Sequence, residues 1–209
     1  AVKNLKYPNY DVLLVDNSSS LDYSDKIKKL GLKVVHINRE GDPKELIAKA
    51  RNVLRQYAID NNYDFLLSLE QDVIPPSTVV ERMLRHNKKI VSGIYYKLFT
   101  LKFKTSLKEI VKKQIRPILY LPIPDYPDKM HFATAKDVEG DRLLQAKMTG
   151  LGCILIHRSV LEKIEFRVDP DLKTFDDACF AEDVSKTNLH IYADTSIKCK
   201  HLILSKPAQ

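Results

Sequence analysis

Glycine is scarce in this 209-residue chain. There are six, and none stands in a Gly-x-Gly-x-x-Gly or Walker arrangement, which argues against a glycine-rich phosphate cradle. Cysteine is scarcer still. Cys153, Cys179 and Cys199 are odd in number and far apart, so neither a zinc pair nor a closed disulfide set is suggested, and a reducing, cytoplasmic compartment is the default expectation. No apolar run approaches the roughly 20 residues of a membrane-spanning helix, and the opening Ala1-Val2-Lys3-Asn4 carries no secretory hydrophobic stretch. The sequence reads as that of a soluble protein. It also lacks internal repeats and low-complexity tracts, which excludes solenoid and linker architectures.

What is present fits one globular unit. Hydrophobic residues make up 44% and charged residues 29%, ordinary for a folded α/β protein, and a single domain over 1–209 is expected, with a first half over 1–97 and a second over 98–209. The net charge of +7 is uneven: between Lys97 and Arg116 stand Lys97, Lys102, Lys104, Lys108, Lys112, Lys113 and Arg116 against Glu109 alone. Leu107, Ile110 and Val111 with Lys108, Lys112 and Lys113 read either as a short cationic amphipathic helix able to touch anionic lipid or as a solvated loop. No aromatic-rich binding motif accompanies the charge, so nucleic acid is not an expected partner.

Strands and helices alternate along the first half. Tyr10–Val15 is a short apolar strand entering the turn-forming Asp16-Asn17-Ser18-Ser19-Ser20, a helix runs up to Gly31, and Leu32–Ile37 is a second strand. Asp42-Pro43-Lys44-Glu45 supplies an N-cap, a proline at the first helical position and a capping-box acid. Leu46, Ile47, Ala50, Val53, Leu54, Tyr57 and Ala58 then mark one apolar stripe. Tyr63–Leu69, apolar on both alternating faces, reads as a central strand. Pro75 and Pro76 end it, Thr78 and Glu81 can form a second capping box, and Lys89–Tyr96 is another strand. Such alternation predicts βαβ units in a Rossmann-like, mixed but mostly parallel sheet flanked by helices. Prolines 117, 122, 124 and 127 obscure 98–138. Beyond them 143–148 and 150–156 are strands, 158–164 and 181–189 helices, and 191–201 a closing strand.

In open α/β sheets ligands bind beyond the carboxyl ends of the strands. Asp16 follows the first strand there, and Glu70-Gln71-Asp72 follows the central one. Two acids one residue apart at such an edge can offer oxygens to a hard cation, which in turn neutralises a diphosphate. His201 ends the last strand, whereas His36, His86, His131, His157 and His190 show no ligand-like spacing.

The order of these pieces resembles glycosyltransferases of the A-type fold, especially family 2. The matching motifs are Val15-Asp16-Asn17-Ser18-Ser19, Ala50-Arg51-Asn52 on a helix before a strand ending in Glu70-Gln71-Asp72, Thr149-Gly150-Leu151-Gly152-Cys153, Ala181-Glu182-Asp183 and His201. The resemblance covers about residues 8 to 203. It implies the nucleotide-diphospho-sugar transferase fold, lacking here part of the N-terminal βα unit, with 1–97 as the nucleotide-binding half and 98–209 as the acceptor and catalytic half.

It further implies that Asp16, Asn17, Arg51, Asn52, Glu70, Gln71, Gly150 and Gly152 face a UDP- or GDP-sugar donor. Asp72 and His201 would hold Mn²⁺ or Mg²⁺. Asp183, beside Glu182, would take the proton of an acceptor hydroxyl, the acceptor being a glycan or a lipid-linked molecule met at the inner face of a membrane through 97–116. Glu70 departs from the family's first Asp. Two other readings share the acids: a sugar-1-phosphate nucleotidyltransferase, which needs a glycine-rich loop, and a non-catalytic sugar-nucleotide-binding module.

Overall fold

A computed structural model of the chain describes residues 1–104, 109–171 and 174–202. In chain order the elements are β1 (Leu13–Asp16), α1 (Asp22–Lys29), β2 (Lys33–His36), α2 (Pro43–Asp60), β3 (Phe65–Leu69), β4 (Val73–Ile74), α3 (Val79–Leu84), β5 (Ile90–Ile94), β6 (Tyr96–Lys104), β7 (Glu109–Pro117), β8 (Leu119–Ile123), β9 (Tyr126–Phe132), β10 (Leu143–Ala146), β11 (Met148–Thr149), β12 (Cys153–His157), α4 (Arg158–Leu161), α5 (Asp176–Ser185), β13 (Ile191–Lys198) and β14 (Lys200–His201). The fold is α/β. Asp42 caps α2 through a 2.7 Å bond from the Lys44 amide, with Pro43 at the first position. The second capping box does not form: Thr78 precedes α3 without a side-chain cap bond.

The central sheet has the order β10-β13-β5-β12-β3. Its sense is mixed rather than mostly parallel. β13 runs parallel to β5, but β12 is antiparallel to both of its neighbours and β10 is antiparallel to β13. β3, β5 and β13 therefore share one direction, and β12 and β10 oppose them. Hydrophobic periodicity reports that a segment is a strand but not which way it runs. Between β5 and β12 the chain passes through β6–β11, of which β10 alone joins the central sheet, and it enters β12 at the same end at which it left β5. The parallel pair β1 and β2, bridged by α1, is the βαβ-like part that the alternation predicted.

Both faces of the central sheet are covered. Ile90, Ile154, Ile156, Ile191 and Ala193 pack with α2, α4 and α5 through Ala48, Ala58, Val160, Leu161, Phe180 and Val184. On the other face Val91, Cys153, Leu155 and Ile197 pack with Val79, Val80 and Met83 of α3. Residues 153 to 156 alternate between these layers, as strand geometry requires. The α2 stripe is rotated from its predicted centre: its buried residues are Leu46, Ala48, Arg51, Arg55 and Ala58. Arg55 spends its charge on the carbonyls ending α4, with Nε 2.6 Å from Leu161 O and 3.0 Å from Ile164 O.

Apart from a 3-10 turn at Lys136–Val138, the elements between β5 and β12 are strands. β6 and β7 form a hairpin paired from Tyr96↔Pro117 to Lys104↔Glu109, and β8 joins β9 and β11 in a three-stranded sheet. The cationic amphipathic helix expected over 107–113 is thus corrected: from Glu109 onward the segment is strand, in keeping with β-branched Ile110, Val111 and Ile115, while Leu107 and Lys108 lie outside the described residues.

Ile154 lies fully buried on β12 between β3 and β5. Ile154→Ala is expected to cost about 2–5 kcal/mol, read as a lower urea midpoint with an unchanged slope; a loss under about 1 kcal/mol would mean that this layer is not the core.

Candidate functional site

Strand direction decides where the site lies. Because β3, β5 and β13 run the same way, their carboxyl ends meet at one edge, and antiparallel β12 begins at that edge. The register fixes this, with Leu69 opposite Cys153 and Lys198 beside Ile94. Glu70, Gln71 and Asp72 leave β3 there, Tyr95 leaves β5, Gly150–Gly152 lead into β12, and His201 follows β13.

Asp72 and His201 are brought together by the short antiparallel pair of β4 and β14, reinforced by a 2.8 Å bond from Leu202 N to Asp72 O. His201 Nδ1 lies 2.7 Å from the Tyr96 carbonyl oxygen. A carbonyl only accepts, so that nitrogen carries the proton, and in the neutral ring Nε2 presents its lone pair to the Asp72 carboxylate 3.2 Å away. Two electron-pair donors face each other. The arrangement suits a divalent cation between them, the ring being oriented by its outer hydrogen bond as in metal-ligating histidines, or else a protonated imidazole. No third His, Cys, Asp or Glu completes a metal-holding cluster among the described residues.

Arg51 lies beneath this edge, 7% exposed. Nη1 donates to Asp176 Oδ2 at 2.6 Å and Nη2 donates to Glu70 Oε1. One guanidinium thus ties α2 to the carboxyl end of β3 and to the first residue of α5. It does not point outward as a donor contact would. Burial pushes the Glu70 carboxyl up; Arg51 opposes the shift and the Asp72 charge adds to it.

Gly150 and Gly152 wrap around Tyr95. A Cβ on Gly150 would come within 2.2 Å of the Tyr95 hydroxyl, and one on Gly152 within 2.7 Å of both that hydroxyl and Glu70 Oε2. Their role is this close approach. The Gly152 amide donates to the Tyr95 hydroxyl at 2.9 Å, and the Tyr95 ring meets His201 edge-on at 5.5 Å. Burial, then the Glu70 charge, keeps the phenol protonated. Below it Gly93 makes room for the thiols of Cys153 and Cys199, which lie close to each other as free, buried groups.

Asp183 stands elsewhere. Its carboxylate takes a two-pronged bond from Arg167, Nε at 2.7 Å and Nη2 at 2.8 Å, with Lys186 at 3.4 Å. The Arg167 bond is the largest reason its acidity is held below the ordinary carboxylate value. Glu182 is exposed and pairs with Lys186 at 2.7 Å and Arg167 at 3.3 Å. Seven positions separate Asp176 from Asp183, about 10 Å along the helix axis, so Glu182 and Asp183 sit two turns along α5 from the end that Arg51 holds. The acids at the start of α5 are Asp176 and Asp177. Asp177 is half-buried, and burial raises its pKa, with the Asp176 charge adding and the Ala178 amide, Arg51 and Lys97 opposing. Its charge also reaches Tyr95 and Tyr120. The sequence places a helix over 181–189, whereas α5 begins five residues earlier, at Asp176.

Two further expected donor residues are engaged in structure. Asn52 Nδ2 donates to Phe166 O at 2.7 Å and Asn52 Oδ1 accepts from Phe166 N at 2.9 Å, pinning α2 to the segment after α4. Asp16 receives Ser18 N at 3.0 Å, Ser18 Oγ at 3.0 Å, Ser24 Oγ at 2.5 Å and His36 Nδ1 at 3.3 Å. It anchors its loop. Asn17 beside it is half-buried, and Gln71 is exposed. At the carboxyl ends of β1 and β2 a cavity of about 300 Å³ is lined by Ser18, Ser19, His36, Asn38, Arg39 and Glu40.

No family model matches the chain, and none of the curated proteins does. Among solved structures it is similar to A197 from STIV, at 22% identity and a TM-score of 0.47, over 90% of this chain and 83% of that one.

Burial alone would raise the Asp16 carboxyl, but the bonds from Ser24, Ser18 and His36 bring it down to about 2 from the ordinary 3.8. A depressed folded-state value stabilises the fold above the unfolded value, and that contribution is lost as pH falls from about 4 through about 2. Asp16→Asn should therefore lower stability by about 2 kcal/mol at pH 7 and by much less at pH 2, measured by urea unfolding at the two pH values. An equal loss at both would show that the ionised carboxylate is not the stabilising form.

Proposed function

We propose that the chain is a metal-dependent glycosyltransferase that moves a sugar from a nucleoside-diphosphate donor to a hydroxyl acceptor, on the nucleotide-diphospho-sugar transferase fold. One observation carries the reading: Asp72 with His201, the Arg51–Glu70–Asp176 group and Asp177 converge on a single sheet edge although they come from four distant stretches. The resemblance of the motif order to family 2 supports it.

In this reading Asp72 and His201 hold Mn²⁺ or Mg²⁺, which when bound neutralises the diphosphate of a UDP- or GDP-sugar. Arg51 fixes the two flanking acids rather than touching the donor. Asp177 replaces Asp183 as the base. A general base works best when its pKa lies near the working pH, and burial moves Asp177 in that direction, whereas Arg167 moves Asp183 away from it. Asp177 Oδ accepts the acceptor hydroxyl's proton as that oxygen bonds to the sugar carbon and the nucleoside diphosphate departs. Rate should then fall as pH drops through a value above the ordinary carboxylate pKa.

The test is release of nucleoside diphosphate from UDP- and GDP-sugars with Mn²⁺. Asp177→Asn should lower turnover by about 10²–10⁴ while nucleotide binding persists, and Asp183→Asn should stay within a few-fold of the parent. The reverse pattern would restore Asp183 as the base. Turnover only with sugar 1-phosphate and nucleoside triphosphate would identify a nucleotidyltransferase, and no turnover with any donor a binding module. Separately, Mn²⁺ with UDP or GDP should raise the melting temperature of the parent protein but not of Asp72→Asn. An equal rise in both would remove Asp72 from the metal site.

A further inference from the structure

A cavity of about 510 Å³ lies between the end of α3 and the β10-β13 pair, and it shares no lining residue with the candidate site. Arg82, Arg85 and His86 reach it from α3 and the turn that follows, Arg142 and Asp141 from the approach to β10, and Asp194 from β13. Positions 82, 85 and 86 are three and four residues apart, so helical spacing sets them on one face.

The acids here do not use up the arginines. Asp194 is buried and committed locally: its Oδ2 lies 2.8 Å from His86 Nε2, and its Oδ1 accepts from both the amide and the hydroxyl of Ser196. Burial alone would raise its pKa, but His86 and Ser196 outweigh burial and hold the carboxyl below its ordinary value. Asp141 is exposed and forms no ion pair with any of the three arginines. Half-buried Arg82 and exposed Arg85 have no side-chain hydrogen bond or ion pair among the described residues.

Arg142 is held by main chain alone. Its Nη2 donates to Asp137 O at 2.8 Å and its Nε to Glu139 O at 3.2 Å, so its orientation is set while no carboxylate compensates its charge. The loop that carries it is fixed by fully buried Thr195, whose Oγ1 donates to Gly140 O at 2.7 Å and accepts from Arg142 N at 2.8 Å. Cations at the end of α3 also suit that helix's carbonyl dipole. The dipole does not require a third guanidinium, anchored on a different element and lining the same cavity.

We infer that this cavity binds the phosphate group of a small ligand, with Arg82, Arg85 and Arg142 donating to its oxygens and His86 closing one side. Guanidinium forks match the paired oxygens of phosphate and carboxylate. A carboxylate presents a single pair, whereas a tetrahedral phosphate offers an edge to each of several forks. Arginines that approach from α3 on one side and the β10 loop on the other therefore favour phosphate. Neither a metal nor a donor sugar takes part.

The test is isothermal titration of the full chain in EDTA, at constant ionic strength set with chloride, using inorganic phosphate, glycerol 3-phosphate and acetate. Either phosphate compound should bind saturably and shift the His86 ring resonance in proton NMR, assigned with His86→Gln, and acetate should do neither. Tighter binding of glycerol 3-phosphate identifies a phosphomonoester as the ligand, and tighter binding of inorganic phosphate identifies the free ion. Arg82→Gln with Arg85→Gln should weaken binding by about tenfold or more, the effect of losing one charge-assisted hydrogen bond, with an unchanged melting temperature in chloride. Asp72→Asn should bind as the parent does, and the outcome is the same whether or not the chain transfers sugar. Absence of saturable binding, equal binding of acetate, parental affinity in the double arginine variant, or loss of binding in Asp72→Asn overturns the inference.

Discussion

The buried guanidinium of Arg51 is the constraint on which the rest of the architecture depends. It sits mid-way along α2 and is held by Asp176 from α5 and Glu70 from the end of β3. A charge this deep is tolerable only when its partners satisfy it. Removing one partner of a buried pair typically costs about 3–5 kcal/mol, because the other is left uncompensated. The pairing therefore acts less as glue than as a register device: α2, β3 and α5 can dock together only where the three groups meet. That docking point sets where α5 begins, and the beginning of α5 sets where Asp177 lies.

A second constraint is steric. Tyr95 is 3% exposed at the end of β5, and its ring occupies space that side chains at positions 150 and 152 would claim. Since β12 runs antiparallel to β5, the approach to β12 must cross the end of β5, and two glycines permit the crossing. Tyr95 in turn packs against His201, whose other side faces Asp72. The ligand-oriented geometry of that histidine thus depends on a chain of contacts that starts with the absence of two Cβ atoms.

The legible parts of the fold were those written in local chemistry. Asp42-Pro43 announced α2 because a cap and a proline act within one turn, and the doubly apolar run of β3 announced a covered strand. Strand direction was not legible, since reversing β12 leaves its hydrophobic pattern unchanged. The start of α5 was hidden because Phe175 makes no side-chain cap bond, and the partner that fixes Asp176 there, Arg51, lies 125 residues earlier in the chain. Tyr95 was missed because a tyrosine ending an apolar strand reads as core. His36 and Asp16, and likewise Cys153 and Cys199, meet only through tertiary structure. The Asp72–His201 pair came from motif order, because spacing along the sequence gave no sign of it.

The charge balance at this sheet edge bears on the proposed chemistry. Glu70, Asp72, Asp176 and Asp177 gather at the edge against Arg51 and Lys97, and Arg51 is already shared by two of the four acids. The Asp72 carboxylate therefore faces solvent and the His201 lone pair without a cationic side chain of its own among the described residues. An anion such as a diphosphate would be repelled by that face. A divalent cation reverses the sign locally, so the site's acids and its proposed ligand are compatible only when metal and nucleotide enter together. The same balance assigns the acids different tasks. Asp176 is committed to Arg51 and, in the proposed chemistry, Asp72 to the cation, which leaves Asp177, half-buried and weakly compensated by Lys97, as the carboxylate whose proton affinity is free to follow its environment.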